Sequence, residues 1–201
     1  STQEFGTLCQ WAIQVINVLT GNLDKEGGSL FSLPAVDQIL NNSPGGFGRF
    51  FSRVKNLPEF DYELPAVTIL DEILTPGEAQ VRLLITGAGN PVLSTPNGKA
   101  LDEALEDLDF MISVDPALNE TTRHADLIFP PTSPLEHDHY DLAFHNLAVR
   151  NTARFNMPVF EKPDGSLHDW EIFAELGERL AKRLDLEPIS RIAPDQIIDR
   201  F

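Results

Sequence analysis

The segment Val81-Arg82-Leu83-Leu84-Ile85-Thr86-Gly87-Ala88-Gly89-Asn90-Pro91 decides the fold. Residues 81–86 are nearly all apolar and are bounded by polar turns, the pattern of a central strand in a parallel sheet covered on both faces. Two more short apolar runs follow at 110–114 and 127–129, the second closed by Pro130-Pro131. Residues 97–107 read as the crossover helix between the first two strands, with Leu101, Ala104, Leu105 and Leu108 facing the sheet. A short helix over 120–124 connects the next pair. Strand, helix, strand, helix, strand predicts a right-handed parallel layer. The expected fold is α/β, a Rossmann-like parallel sheet flanked by helices in three layers, α/β/α. Its strands end in small or acidic turns, at the edge where open α/β sheets hold ligands.

Working outward, residues 7–19 carry Leu8, Trp11, Ala12, Val15, Ile16, Val18 and Leu19 at helical spacing, and Gly21 suits the left-handed cap that ends them. Residues 24–62, rich in Gly, Pro, Asn and Phe, read as one long irregular connection, a length at which loops are usually binding segments or disordered. A short helix is expected over 65–74 with Leu64, Val67, Ile69, Leu70 and Leu74 on its buried side, broken by Pro76-Gly77. The last helix is expected over 167–184. Ser166 and Asp169 give a capping-box signal, and Trp170, Phe173, Leu176, Leu180 and Leu184 form one apolar stripe. This divides the chain into 1–62, an N-terminal helix and irregular connection; 63–150, a Rossmann-like dinucleotide-binding core; and 151–201, a connecting segment and C-terminal helix.

Composition narrows the function classes. A hydrophobic share of 42% with 23% charged residues is that of a soluble globular domain. Fifteen basic against 31 acidic residues give a net charge of −16, which repels phosphate backbones and anionic lipid, so nucleic acid and membrane surface are poor partners. A small anionic ligand stays compatible, because backbone N–H groups hold phosphate whatever the net charge. Cys9 is the single cysteine, so this chain forms no internal disulfide and supplies no four-thiolate cluster. A reducing compartment fits, and the cytoplasm is the expected location, with the periplasm as the alternative. No apolar run reaches the length of a membrane span. The ends, Ser1-Thr2-Gln3-Glu4 and Ile197-Ile198-Asp199-Arg200-Phe201, read as the middle of something longer.

Three constellations could carry chemistry. In Gly87-Ala88-Gly89-Asn90-Pro91 the glycines permit positive φ and close approach of a ligand, and Asn90 can bond its own turn or a ribose or phosphate oxygen. The third glycine of the dinucleotide fingerprint is missing, which argues against a nicotinamide cofactor. A plain strand-to-helix turn explains the segment as well. Asp115, at a strand's carboxyl end, could accept from guanine N1–H and the exocyclic amine, or bind a ribose diol. It could equally cap the helix that follows, with Asn119 as the alternative cap. Thr121 and Thr122 divide in the same way between ligand donors and first-turn residues. The segment 134–141, with His137, His139 and His145 beyond it, has a metal site's composition. His137 and His139 fall on one side of an extended strand with Asp138 opposite, so a polar surface loop is the favoured reading. There is no G-x-S-x-G elbow, Walker loop or H-E-x-x-H.

Taken together, several segments resemble the molybdopterin oxidoreductase family. They are Thr2-Gln3 before a helix ending Leu19-Thr20-Gly21-Asn22-Leu23, then Gly27-Gly28; Gly89-Asn90-Pro91; Leu108-Asp109-Phe110 with Val114-Asp115; Asn119-Glu120-Thr121-Thr122-Arg123-His124-Ala125-Asp126 running to Pro130 and Glu136; and Asp164-Gly165 with Asp169-Trp170 and Glu175-Leu176. The resemblance implies an internal fragment of an oxidoreductase similar to formate dehydrogenases and nitrate reductases, inactive alone. Its parent would hold molybdenum or tungsten on molybdopterin guanine dinucleotide, carry an iron–sulfur segment and the metal ligand elsewhere, and pass electrons to a transfer partner. It further implies that Asp115 reads the guanine, that Gly89, Asn90 and Pro91 lie along phosphates and ribose, that Asn119 and Thr121 lie close to the same end, and that Gln3 falls near the metal pocket. The alternatives are a standalone Rossmann-like nucleotide-binding module, or an interaction subunit whose 24–62 loop and acidic face dock a basic electron-transfer partner.

Overall fold

In the computed structural model, which describes residues 3–36 and 46–186, the chain divides into two units. One takes the described residues up to 36 together with Tyr140–Phe155, and the other takes 46–139 with 156–186. In the first, α1 (Gly6–Leu19) is the expected helix. The Thr20 hydroxyl donates back to Ile16 O at 2.8 Å, and Gly21 follows at φ +67°, the left-handed conformation the sequence predicts at this end. Within this unit, Leu33 N–H donates to Asn151 Oδ1 at 2.8 Å and the Ser32 hydroxyl donates to Asn146 O.

The second unit opens with structure the sequence reading missed. Part of the expected irregular connection is an antiparallel hairpin, β1 (Phe47–Phe51) with β2 (Pro58–Phe60), in which Phe47 faces Phe60 and Phe51 faces Pro58. Residues 37–45 of that connection lie outside the described residues. Gly48 and Pro58 hide the strands, since neither residue belongs in a strand interior, and the register shift between the two pairs erases the alternation. What holds the hairpin is a fully buried carboxylate. Glu59 accepts from Arg49 N at 2.8 Å, Arg49 Nε at 2.9 Å and Tyr62 N at 3.0 Å. The Arg49 guanidinium holds the Glu59 carboxyl at about 2, against an ordinary 4.5.

The expected helix over 65–74 is a 3₁₀ turn (Ala66–Thr68) running into α2 (Ile69–Leu74). Its inward side differs from the expectation. Ile73 is 1% exposed and Ile69 and Leu70 are partly buried, whereas Leu64, Val67 and Leu74 are exposed. Short as it is, α2 offers the core only the i, i+1, i+4 set beginning at Ile69. Glu72 leaves that face to accept from Arg53 Nε and Val54 N, both at 3.1 Å, and Lys55 pairs with Asp71 at 2.6 Å.

The sheet comprises β3 (Leu83–Gly87), β4 (Phe110–Val114) and β5 (Leu127–Phe129), all parallel in that order. The α/β fold class is therefore the one observed. β3 begins two residues later than expected, because Val81 N–H donates to Glu72 O and not to the sheet. It is also an edge of the described sheet, and β4 is the central strand, with Met111, Ser113 and Val114 at most 1% exposed. After β3 come α3 (Pro91–Ser94) and α4 (Gly98–Ala104), the latter extended by a 3₁₀ turn (Leu105–Asp107). Leu101, Ala104 and Leu105 pack with Ile73 and Met111, and Leu84 joins them from the Met111 face of the sheet. After β4, the expected short helix is a 3₁₀ turn (Thr122–His124).

Two-residue strands β6 (His139–Tyr140) and β7 (Phe155–Asn156) form a separate pair. Helix α5 (Asp169–Leu184) starts later than expected. His168, not Ser166, is the residue before its first turn, and Glu171 Oε2 accepts from His168 N at 2.8 Å. The Ser166 hydroxyl instead donates to Pro163 O. Side chains alternate across a strand, so Gly87 belongs to the face opposite Leu84. A Cβ at Gly87 would meet the Phe173 ring at 3.0 Å, which puts α5 on that second face. The expected stripe is only partly covered, because Trp170, Phe173, Leu180 and Leu184 stay exposed and Ile172, outside the stripe, is buried.

Candidate functional site

At the carboxyl edge of the sheet two turns lie side by side, since Gly87 and Val114 are paired in register and Ala88 N–H donates to Val114 O at 3.0 Å. The first turn, 87–91, differs from expectation in where its unusual backbone sits. Ala88, at φ +50°, takes the left-handed conformation, and neither Gly87 nor Gly89 does. The glycines serve space instead. Gly87 accommodates Phe173, and a Cβ at Gly89 would touch only Gly87 O at 3.6 Å, so Gly89 borders open room. The Gly89 and Asn90 amides donate no hydrogen bond to a described residue, while the carbonyl of Asn90 starts α3 by accepting from Leu93 N and Ser94 N at 3.0 Å.

The second turn follows β4. Asp115 is 9% exposed, and its Oδ1 accepts from Ala117 N at 2.8 Å, which leaves Oδ2 outside that turn. Asn119 is the cap of the 3₁₀ turn, its Oδ1 accepting from Thr121 N at 2.9 Å and Thr122 N at 3.0 Å. Thr122, 1% exposed, closes the loop from inside, donating to Ala117 O at 3.0 Å and accepting from Asn119 N at 2.7 Å. Thr121 is fully buried. Its hydroxyl donates to Asn90 Oδ1 at 2.7 Å and accepts from Val92 N at 3.1 Å, and Asn90 Nδ2 donates to Glu120 Oε2 at 2.7 Å. The Asn90 amide holds the Glu120 carboxyl below the usual carboxylate range. Pro91 opens α3.

The structure thus brings Gly89, Asn90, Pro91, Asp115, Asn119 and Thr121 to one rim. Gln3 belongs to the other unit, exposed, with its carbonyl accepting from Gly6 N at 3.0 Å. Among the described residues no three His, Cys, Asp or Glu side chains gather as a metal site. His137 Nδ1 bonds the Asp138 carbonyl at 2.8 Å and His145 Nδ1 the Thr152 hydroxyl at 2.8 Å. Sequence reasoning missed Asp102 on α4, whose carboxylate takes His124 Nε2 at 2.7 Å and two contacts from Arg123 at 2.5 and 2.6 Å. The His124 ring and then the Arg123 guanidinium hold Asp102 below its usual range. Nothing local could reveal a bond across 21 residues; only the positive charge of Arg123 hinted at an acidic partner.

Residues 2–179 match the sequence profile of the molybdopterin oxidoreductase family. The chain belongs to this family. It is 26% identical to the F420-dependent formate dehydrogenase subunit alpha of Methanocaldococcus jannaschii, over 81% of this chain and 25% of that one. It is 31% identical to the assimilatory nitrate reductase catalytic subunit of Bacillus subtilis, over 52% of this chain and 14% of that one. It is 26% identical to the thiosulfate reductase molybdopterin-containing subunit of Salmonella typhimurium, over 84% and 24% respectively. The chain therefore spans at most about a quarter of the length of these relatives.

Ser113 Oγ, at the end of β4, is buried 2.8 Å from Thr86 Oγ1 and reaches no base. The rim offers two amides without a hydrogen bond to a described residue, open room beside Gly89, and one carboxylate oxygen at a strand end. Amide donors suit phosphate oxygens. A fixed carboxylate suits a pair of ring and amine N–H groups.

Proposed function

We propose that this chain forms part of the region that holds molybdopterin guanine dinucleotide in a larger molybdenum- or tungsten-dependent oxidoreductase. Asp115 accepts from the guanine edge, the Gly89 and Asn90 amides face the phosphates, Pro91 directs the chain into α3 beside them, and Asn119 and Thr121 shape the adjoining turn. The metal on the pterin would exchange two electrons with substrate, and electrons would pass to a transfer partner through a cluster in another part of the parent. This chain's own contribution is to bind and orient the nucleotide end, so it is inactive alone. Gln3, placed near the metal pocket by the family resemblance, belongs to this proposal too. The observation that carries the reading is the pairing of Gly87 with Val114, which sets the free amides of one turn next to the carboxylate of the other.

Asp115→Asn in the full-length parent tests it. Asparagine keeps an acceptor for Ala117 N but loses the charge and one acceptor toward guanine. The expected outcome is a retained fold, with a cost of no more than about 1–2 kcal/mol, and a marked fall in GMP released by acid hydrolysis per mole of protein. Unchanged GMP would refute the guanine-reading role. Stabilisation of the chain by NAD in preference to GMP or GDP in thermal melts would favour a standalone nucleotide module instead.

A further inference from the structure

We propose that Thr121 is a positioning residue, whose hydroxyl fastens the turn after β4 to the turn after β3 and so sets the spacing between the Asp115 carboxylate and the Gly89 and Asn90 amides. The inference rests on the nucleotide reading above and gives Thr121 a role other than ligand contact. Thr121 is 0% exposed, so a ligand at the rim cannot reach it. Its hydroxyl is already used as a donor, to Asn90 Oδ1 at 2.7 Å, and as an acceptor, from Val92 N at 3.1 Å. A hydroxyl has a single hydrogen to donate, so none remains for a ligand.

Three hydrogen bonds join the two turns: Thr121 to Asn90, Val92 to Thr121, and Asn90 to Glu120. The backbone of Thr121 is fixed in turn by Asn119 Oδ1. Both ends of the Asn90 side-chain amide are therefore taken, while its backbone N–H makes no hydrogen bond to a described residue. The rim is held in shape before any ligand arrives, which limits the ordering that binding would otherwise require.

Four variants of the full-length parent test this by two readouts: hydrogen exchange of the Val92 amide, and GMP released per mole of protein after purification at limiting cofactor. Thr121→Val keeps the shape but leaves Val92 N–H and Asn90 Oδ1 unpaired. It should speed Val92 exchange about tenfold and lower GMP content several-fold, since an unpaired buried group costs roughly a factor of ten or more. Thr121→Ser keeps the hydroxyl and should stay within about twofold of wild type on both readouts. Thr68→Val removes an equally buried hydroxyl, bonded to Pro65 O away from the rim, and should lower melting temperature while leaving both readouts unchanged. Asn90→Ala cuts the link from the other side and carries the same expectation as Thr121→Val if that variant does not accumulate.

Unchanged Val92 exchange in Thr121→Val, a serine variant as impaired as the valine one, or faster exchange with full GMP content would each overturn the positioning role. A wild-type parent that releases no GMP, or an Asp115→Asn parent that releases as much as wild type, would overturn the underlying nucleotide reading. The Val92 exchange arm would still report on the link between the turns.

Discussion

The rim turns and the β1–β2 hairpin are both irregular segments of the same unit, and they are pinned by different chemistry. The rim is joined mainly by neutral groups, a buried threonine hydroxyl and an asparagine amide bonded to each other and to backbone. The hairpin is pinned by charge: Glu59 under Arg49, Glu72 with Arg53, and Asp71 with Lys55. A neutral link keeps its partners over the whole range where carboxylates titrate, whereas a carboxylate link holds only while the group is ionised. Difference in partner chemistry therefore predicts a difference in pH response between two neighbouring regions.

The comparison breaks first if the regions do not share a floor. Ile73, from the helix tied to the hairpin by Glu72, packs with Leu101, Ala104, Leu105 and Met111 beneath the sheet. Ile73→Ala should cost about 2–5 kcal/mol in urea unfolding, the range for emptying a buried aliphatic position. Loss under 1 kcal/mol would mean that each region stands on its own. Glu59 sharpens the contrast. Its folded value of about 2 lies below the ordinary 4.5, so its stabilisation is full above pH 4.5 and is lost as pH falls toward about 2. Glu59→Gln should therefore melt below wild type at pH 7, with the gap closing on acidification through that window. The gap for Thr121→Val should persist through that same window, because neither a hydroxyl nor an amide titrates there. The smallest effect concerns Ala88, held at φ +50° where glycine is unstrained. Ala88→Gly removes roughly 1 kcal/mol of left-handed strain and adds somewhat less unfolded-state entropy, so a gain of about 0.5 kcal/mol is expected from chemical denaturation.

Much of the fold was legible and much of the site was not. The strands at 110–114 and 127–129 were read to the residue, because apolar runs bounded by turns carry a local signal. The hairpin was missed because its stability comes from a glutamate side chain reaching back to a strand that contains glycine. Asp115 was placed at a strand end correctly. Asp115 does not cap the helix that follows, the other role the residues allow, but bonds Ala117 within its own turn, and the alternative cap, Asn119, takes the amides of Thr121 and Thr122. The capping signal at Ser166 was misread by two residues, since a serine followed by an acidic residue looks the same whether it caps a helix or closes the preceding turn.

By itself the sequence determined the α/β class, the order of the three parallel strands and the helices between them, and the family, because these depend on periodicity and on motifs read along the chain. Tertiary structure alone decided that β4 is central and β3 an edge, that Asp102 holds Arg123 and His124, and that Thr121 turns inward to bond Asn90. The physical reason is range. Strand and helix propensity act over a few residues, whereas a hydroxyl or carboxylate takes whichever partner folding brings within about 3 Å, and here those partners come from 21 to 31 residues away.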